Sequence, residues 1–203
     1  MHLPSKWRIE ELSVCYDFIK TYGFATLVTS DLNASQIPLV LDLSADKPAL
    51  LGHVSAANEH ARTLDNAQAL AIFMGPHAYI SPTWYESKPA VPTWNYSSVH
   101  VTGVTELLDS EATLKLVNKL IRQYEPSLLE QPEILTSEYQ KKLNKGIVGF
   151  RLTIESIEGK EKLGQHRSLA DQRGVVSGLQ NSISQEEQSL LRYMISRNLG
   201  LGK

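Results

Sequence analysis

The sequence predicts a mainly β domain with flanking helices, and two observations carry that reading. Residues 24–29, 36–43 and 49–54 are short apolar or alternating runs separated by Ser-Asp-Leu-Asn and Asp-Lys-Pro turns. Connections that short join antiparallel strands, because a parallel pair needs a crossover of a dozen residues or more. Further on, residues 94–107 alternate loosely, with Trp94, Tyr96, Ser98, His100, Thr102 and Val104 on one face, which is the period of a strand.

The elements follow in order. Residues 8–22 are predicted as helix, since Ile9, Leu12, Tyr16 and Ile19 recur near helical spacing and Gly23 stands at a C-cap position. The meander comes next, and Pro38 marks an edge, a bulge or a ligand-facing position in its second strand. Ser55 reads as the N-cap of a short helix over 56–64. Residues 69–74 read as a buried strand that Gly75-Pro76 ends, and 78–81 as another. Asp109 opens a helix with the apolar stripe Leu114, Val117, Ile121 and Tyr124. Residues 136–145 form a further helix, closed by lysines and Gly146. Residues 147–157 are the last strand, with a turn at Glu158-Gly159. Residues 168–199 are helical in two pieces; Ser184 and Glu187 make a capping box, and Leu190, Leu191, Met194 and Ile195 an apolar face.

Composition narrows the function. The net charge of −2 lacks the basic excess of a broad nucleic-acid surface, and the two tail arginines, Arg192 and Arg197, make a weak patch, so direct DNA binding is not expected. Cys15 is the single cysteine, so no internal disulfide can form, as suits a reducing compartment. No run of about 18 apolar residues exists. The expectation is a soluble, cytoplasmic protein away from membranes. His53, His60, His77, His100 and His166 are scattered, with no i, i+4 pair and no cysteine cluster, so no metal site is predicted.

Ligand-binding ingredients concentrate in three places. Residues 75–103 hold two of the three tryptophans, in the phrases Pro82-Thr83-Trp84-Tyr85 and Pro92-Thr93-Trp94-Asn95-Tyr96. Flat aromatic walls with polar tips suit a small planar ligand; rings of this kind also serve as core and interface filler. At Gly52-His53-Val54-Ser55-Ala56-Ala57-Asn58 a strand hands over to the predicted short helix. Small residues and free N–H groups there could take an anion, or simply cap a helix. Gly159-Lys160-Glu161-Lys162-Leu163-Gly164-Gln165-His166-Arg167 brings cations directly after the last strand, as a phosphate clamp or as a solvated face.

Taken in order, Leu3-Pro4, residues 25–29, Gln36-Ile37-Pro38-Leu39, Gly52-His53-Val54 with Ala57-Asn58, residues 75–85, residues 91–96, Glu158-Gly159-Lys160 and Gln165-His166-Arg167 resemble the PaiB-type family, described as FMN-binding negative transcriptional regulators. The resemblance runs from about residue 3 to residue 179. It implies a split β-barrel of the FMN-binding, pyridoxamine-phosphate-oxidase-like type over residues 1–180, with 181–203 as a helical tail. It implies a homodimer with FMN as cofactor, in a regulatory or redox-sensing role. An FMN-dependent oxidoreductase acting on a small molecule, or a binder of haem or another planar cofactor, is the alternative. The implied cofactor-binding residues are Ile37, Leu39, His53, Val54, Ser55, Ala57, Asn58, Trp94, Asn95, Tyr96, Lys160, Gln165 and Arg167. Glu161, Gly164 and His166 depart from the family pattern, which has tryptophan, serine and asparagine there; no catalytic residue is assigned.

Overall fold

The computed structural model describes residues 1–44 and 46–203. Its seven strands are β1 (Phe24–Thr29), β2 (Ala34–Pro38), β3 (Val40–Asp42), β4 (Ala49–Ser55), β5 (Gln68–Ile80), β6 (Thr93–Leu107) and β7 (Ile147–Lys162). They form one sheet in the order β2-β1-β5-β6-β7-β4-β3. Five helices accompany it: α1 (Leu12–Thr21), α2 (Ser110–Tyr124), α3 (Ser137–Asn144), α4 (Leu169–Gln180) and α5 (Gln185–Arg197). Among the described residues, no helix is long and apolar enough to cross a membrane, and no group of His, Cys, Asp or Glu could hold a metal ion. Two compact units share the chain. One comprises Leu12–Phe73 and Val99–Ile157, the other Met1–Glu11, Met74–Ser98 and Glu158–Lys203.

In the Leu12–Phe73 and Val99–Ile157 unit, the predicted strand 36–43 is two strands. Pro38 ends β2, where it faces Phe24 across the antiparallel β1–β2 ladder, while Val40 starts β3 against Leu51 of β4. Only Leu39 lies between, its N–H given to the Gly23 carbonyl. β2 and β3 stand at opposite ends of the strand order, so this one-residue link requires the sheet to curl until its ends are neighbours. β4 pairs with β7 over seven residues, from Ala49 opposite Thr153 to Ser55 opposite Ile147. Leu27, Leu39, Leu50, Phe73, Phe150 and Leu152 are fully buried in this unit. Gly52 leaves room there for the Leu39 and Phe150 side chains, which a Cβ would push aside.

Helix α2 corrects the predicted stripe. Asp109 caps it as expected, accepting from Ala112 N–H at 2.8 Å. Its buried face, however, is Leu116 and Leu120, which pack with Val40 and Leu51. Leu114, Val117 and Ile121 line cavities instead.

In the other unit, Ser5–Trp7 is a 3-10 turn, and Ile9 N–H donates to the Gly159 carbonyl at 2.9 Å. This is why the first helix begins at Leu12 rather than at residue 8. Strand β7 does not turn at Glu158-Gly159 but continues to Lys162, and β5 runs through Gly75-Pro76. The two Pro-Thr-Trp phrases fold differently. Ser81 Oγ accepts from Thr83 N–H and caps a 3-10 turn over Pro82–Trp84, whereas Val91 has no cap to offer and the second phrase enters β6. Trp84 packs on Gly174 and Gly178 of α4, where a Cβ would meet its backbone and its ring. Helix α5 begins at the Ser184 cap and buries Leu190, Leu191 and Met194; Ile195 stays exposed.

Candidate functional site

The end of β4 and the turn after it make a polar corner. Residues 56–64 are not the predicted helix: Glu59–Arg62 is a single 3-10 turn, capped by the Asn58 side chain rather than by Ser55. Ser55 Oγ accepts from Ala57 N–H at 3.2 Å, and Asn58 N–H closes the turn on the Ser55 carbonyl. A helix N-terminus able to draw in a phosphate is therefore missing here. What the corner offers is a cavity of about 540 Å³ whose lining includes Ser35, Ile37, His53, Val54, Ser55 and Asn58. Five of the expected site residues meet in it. Leu39 is in the core and Ala57 is outside the lining.

A hydrogen-bond chain that sequence reasoning missed holds one wall. His60 is 2% exposed. Thr29 Oγ1 donates to Asp31 Oδ1 at 2.6 Å, so His60 Nε2 is the donor in its 2.9 Å bond to Thr29. His60 Nδ1 then accepts from Ser35 Oγ at 2.8 Å, and Ser35 in turn accepts from Asn58 Nδ2 at 3.3 Å. Every member has a partner; burial lowers the His60 pKa, and Asp31 opposes that. No short-range motif announces this chain, since Thr29, Ser35 and His60 come from three separate segments.

His53 stands at the junction of this cavity with two others, of about 480 and 220 Å³, walled by Val117 and Ile121 with mainly apolar neighbours. Its Nδ1 is buried with no hydrogen-bond partner, and burial lowers its pKa.

The remaining expected residues lie in the Met1–Glu11, Met74–Ser98 and Glu158–Lys203 unit. Lys160 is 5% exposed and donates to the His2 carbonyl at 2.9 Å. It lies 5.4 Å from the ring centre of Trp7 and 5.2 Å from that of Tyr96. Trp94 is 45% exposed, beside His77 and Tyr79. Asn95 is buried. Gln165 is a brace: it accepts from Leu163 N–H and donates to the Glu161 and Lys6 carbonyls. The Arg167 guanidinium stacks 4.3 Å from the centre of the Tyr85 ring. Glu161 points away from these cations, because side chains alternate along a strand. It is buried against Tyr193 Oη at 2.6 Å and Arg197 Nε at 2.7 Å.

Residues 1–156 match a family model described as "Putative FMN-binding domain". The chain is 31% identical over 205 residues to "Protease synthase and sporulation protein PAI 2" of Bacillus subtilis, covering 96% of each. It is also 31% identical over 228 residues to an uncharacterized protein of Emericella nidulans, covering 89% of this chain and 91% of that one. Among solved structures, the flavocytochrome Anf3 of Azotobacter vinelandii superposes with a TM-score of 0.62 at 12% identity, over 80% of this chain and 73% of that one. The FAD and heme binding protein of Mycobacterium smegmatis gives 0.58 at 16%, over 77% and 74%. At such identities these two establish the fold alone, which is the split β-barrel class. With the family model spanning residues 1–156 and PAI 2 aligned along almost the whole chain, this protein belongs to the PaiB-type family of FMN-binding proteins.

Proposed function

We propose that the protein is an FMN-binding homodimer with a regulatory, redox-sensing role, and that the uncharged parts of the cofactor are held in the cavity lined by Ile37, His53, Val54, Ser55 and Asn58. That cavity is the observation that carries the reading. Its volume of about 540 Å³ falls in the range of small-molecule sites. Its lining mixes hydroxyls, two side-chain amides and an imidazole with apolar walls and contains no lysine or arginine. Such a lining fits a tricyclic ring and ribityl hydroxyls, not a phosphate. The unpartnered Nδ1 of His53 is a hydrogen-bonding group for which a ligand edge would supply the partner. FMN would bring the redox chemistry, while the chain's part is to orient the ring and shield it from water.

Homodimerisation is supported by large apolar side chains that the protomer leaves exposed around the same unit, Phe24, Tyr124, Ile134, Tyr139 and Leu143. The regulatory role is supported by the name of the Bacillus relative, which ties that protein to protease synthesis and sporulation. The test is the absorbance spectrum of the untreated protein, followed by FMN titration and light scattering. Bound or readily acquired flavin on a dimer is expected. A colourless protein that takes up no FMN ends this reading.

A further inference from the structure

We infer that the cations gathered around Trp7 form a binding site for a phosphoryl dianion. The 3-10 turn Ser5–Trp7 places Trp7 over the end of β7. The Lys6, Lys160 and Lys162 ammonium groups lie 4.7, 5.4 and 5.7 Å from the centre of its indole ring. His166 meets the same ring edge-on at 5.6 Å. Arg167 follows one residue later, close enough to act electrostatically on both His166 and Lys162.

Positive charges this close repel each other unless something negative sits among them. Among the described residues, no ion pair involves Lys6, Lys160, Lys162 or Arg167. The neighbouring acids are engaged elsewhere. Glu161 lies on the opposite face with Tyr193 and Arg197, Glu158 is paired with the N-terminal ammonium, and Asp171 accepts from Ser87 N–H. Burial and the neighbouring cations push the pKa values of Lys162 and His166 down, as expected of a cluster without its counter-ion.

Donors remain to be filled. An ammonium has three N–H groups. Lys160 gives one to the His2 carbonyl; Lys162 gives two, to Thr93 Oγ1 and the Trp94 carbonyl. The indole Nε1 of Trp7 is buried and has no partner. A buried N–H, two lysines with spare donors and a guanidinium call for a compact acceptor with several oxygens and more than one negative charge. A phosphate monoester has that chemistry. FMN carries such a group, and for FMN the inference rests on the reading above; other phosphorylated small molecules carry it too.

The experiment compares FMN, riboflavin and inorganic phosphate on the wild-type chain and on Lys162→Gln/Arg167→Gln, with Trp7→Phe as a variant that keeps the ring and loses the N–H. Flavin binding is read by fluorescence quenching, phosphate binding by the shift in thermal midpoint, and folding by circular dichroism. If the site takes the FMN phosphate, the double variant loses about tenfold or more in FMN affinity, Trp7→Phe loses less, and riboflavin binding is unchanged in both. If it takes a separate phosphorylated ligand, FMN and riboflavin stay equal in all proteins while the phosphate-induced shift vanishes in the variants. A chain that binds neither flavin but shows that phosphate shift defeats the flavin reading and leaves this site standing. Folded variants that match the wild type with all three ligands overturn the inference.

Discussion

The corner at the end of β4 and the cationic end of β7 solve opposite problems. In the corner, a carboxylate and polar groups from three segments satisfy one another along Asp31, Thr29, His60, Ser35 and Asn58. At the end of β7, charges of one sign crowd around a single indole. A closed hydrogen-bond chain fixes geometry and contributes stability; an uncompensated cluster costs stability and recovers it on binding. The contrast teaches where to look for each role: the corner shapes a cavity, and the cluster waits for an anion. Substitutions should therefore destabilise the first region, while neutralising a cation of the second should leave stability nearly unchanged.

The largest effect is expected at the acid behind the cluster. Glu161→Ala removes the acceptor of both Tyr193 Oη and Arg197. Breaking a buried pair by deleting one partner costs about 3–5 kcal/mol, and the partial exposure of Arg197 places this case near 3 kcal/mol. Urea unfolding with an unchanged m-value checks it; a loss under about 1 kcal/mol would mean that Glu161 is not what anchors α5. Next comes His60→Ala, which leaves the buried hydroxyls of Thr29 and Ser35 short of a partner. A loss of about 2 kcal/mol is expected, with weakened flavin binding because Ser35 lines the cavity. Flavin affinity unchanged in a destabilised but folded variant would separate the chain from the site.

How much of this could be read from the sequence depends on the range of the forces involved. The meander was legible because turn residues and alternation are local. Strand ends were not: Gly75-Pro76 looked like a stop, yet β1 pairs with Ala69–Ile72 of β5, and proline, which has no N–H to donate, is tolerated beyond the end of that ladder. The turn at Glu158-Gly159 was likewise overruled, since the N-terminal segment pairs there through Ile9 and Arg8. Family resemblance identified the fold and pointed to His53, Ser55 and Asn58. The wall made by Ser35 and His60 and the place of Trp7 among the lysines depend on long-range contacts, and no spacing rule encodes them. Glu161, which departs from the family pattern, makes sense only beside Tyr193 and Arg197, more than thirty residues away in sequence.

Acid titration joins the two regions. Burial lowers the pKa values of His53, His60 and His166, with cationic neighbours adding to the effect at His166. An unfolded histidine titrates near pH 6.5, so below that pH the unfolded chain binds more protons than the folded one. Stability is therefore full above about pH 6.5 and falls as the pH drops from there towards the folded values. Asp42, held at about 2 against desolvation by hydrogen bonds from Ser44 and Lys119, adds a loss of the same sign at lower pH. Urea midpoints at pH 7.5, 6 and 5 should fall in that order, and His60→Ala should flatten the slope. A midpoint that holds between pH 7 and 5 would mean these imidazoles stay solvated.

The smallest expected effect is the sharpest check on the comparison. Lys6 is exposed, and its ammonium takes part in no ion pair among the described residues. Lys6→Gln gives up a cation–π contact with Trp7 but relieves repulsion from the neighbouring cations. Those terms oppose each other, so stability should change by less than about 0.5 kcal/mol, and raising the salt concentration should stabilise the wild type more than the variant. A clear loss of stability in Lys6→Gln, insensitive to salt, would show that the charge is already compensated, and the two regions would then differ in composition rather than in kind.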